Sequence, residues 1–67
     1  MPIIQVNLLQ GRTTEAKREF VNGVTQLTCS CFGVNAEQVR VIFNEMSREN
    51  YAIAGTLVAD SGKNSGP

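Results

Sequence analysis

The sequence predicts one α+β domain, a β-α-β unit with a parallel strand pair and a short C-terminal hairpin, that assembles into an oligomer. Segments 2–9 and 39–45 alternate apolar and polar residues, and a long amphipathic segment separates them. The chain has 67 residues, and a domain of this size buries only about 60% of the surface that its unfolded chain exposes. It therefore needs disulfides, a metal or neighbouring subunits.

The first strand is predicted over residues 2–9. Alternate apolar side chains share one face: Ile4, Val6 and Leu8. Ile3 and Leu9 add apolar area to the second face, so we expect a helix on one side of this strand and another subunit on the other. Gln10, Gly11 and Arg12 then form a turn.

A helix is predicted from about Thr14 to about Phe32. Thr13 or Thr14 suits the N-cap, Glu15 suits the positive end of the helix dipole, and Gly33 suits the position after the last turn. The predicted apolar stripe follows helical spacing and is widened by Val21: Ala16, Phe20, Val24, Leu27 and Cys31. The polar residues are expected mostly on the other sides: Lys17, Arg18, Glu19, Asn22 and Gln26.

Residues 35–38 are predicted to form one short turn, with Asn35 as its cap and Gln38 three residues later. The second strand follows over residues 39–45. Its two faces alternate: Val39, Val41 and Phe43 on one, Arg40, Ile42 and Asn44 on the other. Because a long helix connects the two strands, they are expected to pair in parallel through a right-handed crossover.

The last third of the chain is predicted to hold a short extended segment or hairpin over residues 51–58 and a flexible tail over about 60–67. All 67 residues are assigned to a single domain. The two strands leave open sheet edges, with which this segment of a neighbouring subunit can pair.

Composition narrows the function. Six basic residues balance six acidic ones, and no run of like charge indicates nucleic acid or membrane binding. With no signal peptide or long apolar stretch, we expect a soluble cytoplasmic protein. Histidine is absent, and Cys29 and Cys31 alone do not make a zinc site. We therefore expect no metal and no cofactor, and we interpret both cysteines as inert thiols on a helix.

Without histidine, an enzyme of this sequence needs another base, and Met1-Pro2 offers one. Initiator methionine is commonly removed when the next residue is small, and its removal leaves a secondary amine on Pro2. A free α-amine has a pKa of about 8, and burial or nearby cations lower it. Such an amine can act as a general base. The alternative is structural, since proline also suits the first residue of a strand.

Arg40 and Tyr51 each allow two interpretations. Beside Val41 and Ile42, the Arg40 guanidinium needs a partner, which is either an anionic ligand near Pro2 or a carboxylate such as Glu45. Tyr51 suits an ordinary core or interface aromatic as well as a pocket wall.

Three segments together resemble the 4-oxalocrotonate tautomerase family over about residues 2–59. Residues 2–12 resemble the family's opening, residues 39–46 its second strand, and residues 50–55 its aromatic and hairpin segment. The resemblance implies the β-α-β tautomerase fold, a homohexamer built as a trimer of dimers, and active sites between subunits. The implied activity is keto–enol tautomerisation of 2-hydroxydienoates or enol 2-oxo acids.

The resemblance also implies roles for particular residues. Pro2 would be the amino-terminal base, Arg40 would bind a substrate carboxylate or the 2-oxo oxygen, and Arg12 would hold the distal carboxylate across a subunit boundary. Tyr51 stands where the family typically has phenylalanine and would wall the pocket. Two arginines suit a dicarboxylate substrate.

One departure widens the choice of substrate and of function. Some family members carry an additional arginine near the C-terminus, whereas residues 58–63 contain none and offer only Lys63. A smaller keto acid, such as phenylpyruvate in its enol form, is therefore an alternative substrate. Two alternative functions remain: hydration, dehalogenation or decarboxylation with a cationic Pro2, and a non-catalytic oligomeric subunit.

Overall fold

The computed structural model describes residues 1–61 and confirms the β-α-β unit. Its elements are, in chain order, β1 (Ile3–Leu9), α1 (Thr14–Phe32) and β2 (Arg40–Met46). The two strands pair in parallel, from Ile3 opposite Arg40 to Leu9 opposite Met46. One end of the sheet therefore carries both strand N-termini, and the other end carries both C-termini.

The ends of α1 are set by the residues that the sequence indicates. The Thr13 hydroxyl Oγ1 accepts a hydrogen bond from the Ala16 N–H at 3.0 Å, which makes Thr13 the N-cap. Gly33 adopts the left-handed conformation with φ 66°, and its N–H donates to the Cys29 carbonyl. Glycine accepts this conformation without a steric penalty from a Cβ, so the helix stops where the sequence predicts.

The face of α1 that covers the sheet shares only Val21 and Val24 with the predicted stripe. Six shielded helix residues form this face: Lys17, Val21, Val24, Thr25, Thr28 and Cys29. Phe20 and Leu27 of the predicted stripe lie beside it and are 44% and 62% exposed. The expectation for Lys17 was also wrong. Its ammonium forms an ion pair with Glu45 and lies 5.6 Å from the centre of the Phe43 ring, because a long aliphatic stem can follow an apolar surface while the charged end finds a partner.

The predicted short turn is present as a 3-10 turn, Ala36–Gln38, and the predicted C-terminal segment is a hairpin. After a second 3-10 turn, Arg48–Asn50, the antiparallel strands are β3 (Ala52–Ile53) and β4 (Thr56–Leu57). The two residues that join them both have positive φ, Ala54 at 54° and Gly55 at 87°. This is the backbone geometry of a tight hairpin turn.

A short helix, α2 (Val58–Ser61), follows the hairpin and was not predicted. The Val58 N–H donates to the Tyr51 carbonyl at 2.8 Å, and the Ser61 hydroxyl donates to the Val58 carbonyl at 3.0 Å. Residues 60 and 61, at the start of the predicted tail, belong to this helix. The rest of that tail, Lys63 included, lies outside the described residues.

Most of the large apolar side chains of the described chain are not enclosed by the protomer. Among the hydrophobic residues of that range, Val58 alone is buried. The exposed ones lie on the sheet, on α1 and on the C-terminal hairpin segment, where Tyr51, Ile53 and Leu57 are exposed. The free face of the sheet carries Ile3 and Ile42, and the outer side of α1 carries Leu27. Phe20 lies at the edge of the helix–sheet contact, where its ring is 44% exposed and its centre is 5.9 Å from that of Phe43. Within residues 1–61, no helix has the length and apolarity needed to cross a membrane.

Candidate active site

Pro2 and Arg40 lie side by side at the end of the sheet where both strands begin. The Arg40 N–H donates to the Pro2 carbonyl at 3.0 Å, which extends the β1–β2 ladder by one residue. Pro2 is half-buried and Met1 is 58% exposed. While Met1 is present, the Pro2 nitrogen is part of an amide. The proximity of the two residues predicted from the parallel pairing is confirmed.

The Arg40 side chain is held by main chain and not by a carboxylate. Its Nη1 donates to the Glu37 carbonyl at 2.6 Å. The Glu45 carboxylate, the alternative partner considered from the sequence, pairs with Lys17 on the opposite face of β2. No carboxylate within residues 1–61 forms an ion pair with Arg40. A guanidinium has five N–H donors, so this one keeps donors for an anionic ligand.

Arg12 lies at the other end of β1 from Pro2. A strand of this length spans about 20 Å, so one protomer does not bring the two residues together. Arg12 contributes to an apolar cleft of about 180 Å³ between α1 and the sheet. The cleft is lined by Val6, Leu8, Arg12, Ala16, Lys17, Phe20 and Phe43. Its floor includes the Phe20 and Phe43 rings, whose centres are 5.9 Å apart.

Tyr51 also follows the C-terminal end of the sheet. It comes after β2 and the 3-10 turn Arg48–Asn50, and it is 43% exposed. Of the four predicted site residues, the structure therefore joins Pro2 with Arg40. It places Arg12 beyond the opposite end of β1, and Tyr51 in the segment that follows β2.

Two features around these residues were not predicted from the sequence. The first is the Glu37 carbonyl, a main-chain acceptor whose bond to Arg40 cannot be predicted from residue types. The second is the group formed by Lys17, Glu45 and Phe43, since spacing along separate elements does not show which side chains meet across them. Cys29 and Cys31 are free thiols. Among the described residues, no group of three potential metal ligands lies close enough to hold an ion.

Comparison with known proteins gives the family to which this fold belongs. The family model described as tautomerase enzyme matches residues 2–61. The chain therefore belongs to the tautomerase family, and the resemblance drawn from the sequence is confirmed.

Three similar proteins illustrate the relationship. The 2-hydroxymuconate tautomerase of Bacillus subtilis is 38% identical over 90% of this chain and 97% of its own length. A structure from work on the 4-oxalocrotonate tautomerase isozymes of Methylibium petroleiphilum is 43% identical, with a TM-score of 0.82 over 87% of this chain and 91% of that one. A heterohexamer 4-oxalocrotonate tautomerase from Chloroflexus aurantiacus is 27% identical, with a TM-score of 0.81 over 90% and 97%.

Proposed function

We propose that this protein is an isomerase that interconverts keto and enol forms of 2-hydroxydienoates or enol 2-oxo acids, with Pro2 as general base once Met1 has been removed. The observation that carries the proposal is the hydrogen bond of 3.0 Å between the Arg40 N–H and the Pro2 carbonyl. This bond holds Pro2, which would supply the base, beside Arg40, which would bind the acid substrate.

The chemistry assigned to Pro2 is a proton transfer. Removal of Met1, which is exposed, frees a secondary amine at the mature N-terminus. Its lone pair takes the proton of the substrate hydroxyl, charge moves through the conjugated system, and the same nitrogen returns the proton to carbon. The reaction begins and ends with the same atoms and a neutral amine, so it requires no cofactor.

Arg40 stabilises the charge that develops during this transfer. Its guanidinium keeps N–H donors beyond the one bound to Glu37, and a planar guanidinium can hold a carboxylate or the 2-oxo oxygen through two hydrogen bonds. Fixed cationic donors aimed at a developing oxyanion lower the barrier to enolisation.

Arg12 and Tyr51 would join the site from other subunits. Within one protomer, Arg12 is separated from Pro2 by the length of β1, about 20 Å. The exposed faces at Ile42 and Leu27 give a protomer apolar surface to bury against copies of itself. We propose a homohexamer, a trimer of dimers, in which Arg12 holds the distal carboxylate and Tyr51 walls the pocket. The relative from Chloroflexus aurantiacus, a heterohexamer, supports six subunits as the assembly.

The first test combines mass spectrometry with ketonisation assays of 2-hydroxymuconate and enol-phenylpyruvate. We expect the mature protein to lack Met1, and Pro2→Ala to lower the rate by about 100-fold, the lower range for loss of a general base. Pro67→Ala is the matched control. It changes the second of the chain's two prolines, which lies outside the described residues. Equal rates for wild type and Pro2→Ala would refute the proposal. A cationic Pro2 acting as an acid would instead make the rate fall as pH rises.

A further inference from the structure

We propose that the 3-10 turn Ala36–Gln38 orients the Arg40 guanidinium and that Gln38 is the positioning residue that fixes this turn. The inference rests on the proposed function, because it concerns how the arginine of that site is held. Gln38 acts through the main chain and does not need to touch the substrate.

Arg40 requires such a support because little else restrains its side chain. The residue is exposed, and a long side chain in water samples many rotamers. Its one hydrogen bond among the described residues joins Nη1 to the Glu37 carbonyl at 2.6 Å. The main chain of Arg40 is tied separately, through its N–H, to the Pro2 carbonyl. The position of the Glu37 carbonyl relative to β2 therefore sets the direction of the guanidinium.

The Glu37 carbonyl is in turn fixed by three hydrogen bonds across the turn. The Gln38 side-chain Oε1 accepts from the Asn35 N–H at 3.0 Å. The Gln38 N–H donates to the Asn35 carbonyl at 2.9 Å, and the Val39 N–H donates to the Ala36 carbonyl at 3.1 Å. Two of these bonds are main-chain pairs that any residue at position 38 can make. The bond to Oε1 is the one that depends on the Gln38 side chain.

This arrangement also leaves the guanidinium usable. The Glu37 carbonyl is a neutral acceptor and engages one nitrogen of the fork, so the positive charge is not neutralised. A carboxylate partner would have competed with an anionic substrate for the same donors. The Glu37 carbonyl therefore restrains the guanidinium, and the remaining N–H groups of the guanidinium can bind a carboxylate.

The test is a double-mutant cycle between Gln38 and Arg40. Gln38→Met removes the acceptor oxygen at nearly constant side-chain length. We expect kcat/KM for 2-hydroxymuconate to fall by about tenfold, which is less than the loss of about 100-fold that a misplacement of about 1 Å can cause. In an Arg40→Ala background the same change should alter kcat/KM by no more than about twofold. Gln26→Met, which removes a side-chain hydrogen bond to Asn22 on the exposed side of α1, is the matched control.

Two further measurements separate positioning from folding. Arginine side-chain NMR should show faster motion of the Arg40 guanidinium in Gln38→Met, with unchanged assembly in light scattering. If Gln38→Met does not assemble, Gln38→Glu serves instead, because it keeps an oxygen acceptor. Its kcat/KM should stay within about threefold of wild type, a loss smaller than that of one charge-assisted hydrogen bond.

The outcomes are distinct. An equal loss from Gln38→Met with and without Arg40, or a loss of kcat/KM in Gln38→Glu as large as that of Arg40→Ala, would overturn the positioning role. If Arg40→Ala itself leaves the rate unchanged, the proposed function fails before Gln38 is tested.

Discussion

Arg40→Ala tests the assignment of the anion-holding group. In the structure the guanidinium is exposed and bound once, to the Glu37 carbonyl, so a pair of its remaining donors can bind a substrate carboxylate or oxyanion. A hydrogen bond from a charged donor contributes at least about 1.5 kcal/mol, so two contribute about 3 kcal/mol. We use the lower value because water screens exposed charges. A loss of about 3 kcal/mol from the transition state lowers kcat/KM by about 150-fold.

The assay is steady-state ketonisation of 2-hydroxymuconate and of enol-phenylpyruvate with the Met1-free protein. Arg40→Lys should fall between wild type and Arg40→Ala, because an ammonium keeps the charge but loses the planar pair of donors. Arg18→Ala is the control, since Arg18 is also exposed and pairs with Glu15 on the helix surface. The role of Arg40 is refuted if Arg40→Ala and Arg18→Ala have equal kcat/KM on both substrates while Pro2→Ala shows its expected loss of about 100-fold.

Two predictions concern the fold and its assembly. Thr13→Ala removes the acceptor of the Ala16 N–H and should lower the free energy of unfolding by about 1 kcal/mol in urea titrations at fixed subunit concentration. Thr14→Ala, one residue inside the helix, should change it less, and equal losses would contradict the capping role. Leu27→Lys places a charge on an apolar surface that is 62% exposed in the protomer and should reduce the mass measured by light scattering. The control is Gln26→Lys at the neighbouring exposed position, which should leave that mass unchanged. An unaltered mass in Leu27→Lys would exclude the surface at Leu27 from the interface between subunits.

The sequence predicted the elements well because local chemistry determines them. Thr13 and Gly33 supply the cap oxygen and the left-handed conformation that fix the two ends of α1, and the alternation of apolar residues fixes the two strands. The parallel pairing followed from the length of the connection. Both strand predictions are correct to within one residue of the observed bounds.

The sequence did not predict which apolar side of α1 packs on the sheet. It placed Phe20 and Leu27 on one stripe with Val21 and Val24, but only Val21 and Val24 are shielded against the sheet, and Phe20 and Leu27 are left 44% and 62% exposed. Hydrophobic periodicity does not distinguish a face that packs within the protomer from one left for another subunit. The inward position of Lys17 could not be predicted either, because it depends on Glu45 across the helix–sheet interface.

The candidate site was predictable only in part for a similar reason. The meeting of Pro2 with Arg40 follows from strand direction and register, which the sequence pattern implies. The position of Arg12 beyond the far end of β1 also follows from strand direction, but a contact between Arg12 and Pro2 would depend on how subunits pack together. The hydrogen bond from Arg40 to the Glu37 carbonyl could not be predicted, because every residue type carries a main-chain carbonyl.

Base catalysis by Pro2 depends on the protonation of its nitrogen, which NMR titration of ¹⁵N-labelled Pro2 in the Met1-free protein measures. We expect a Pro2 pKa below that of an ordinary secondary amine, because the Arg40 cation and the half-buried position both disfavour the protonated form. kcat/KM should then rise with pH through that pKa and level off above it, as a base requires. A Pro2 pKa at or above the ordinary value, or a rate that falls through it, would contradict base catalysis.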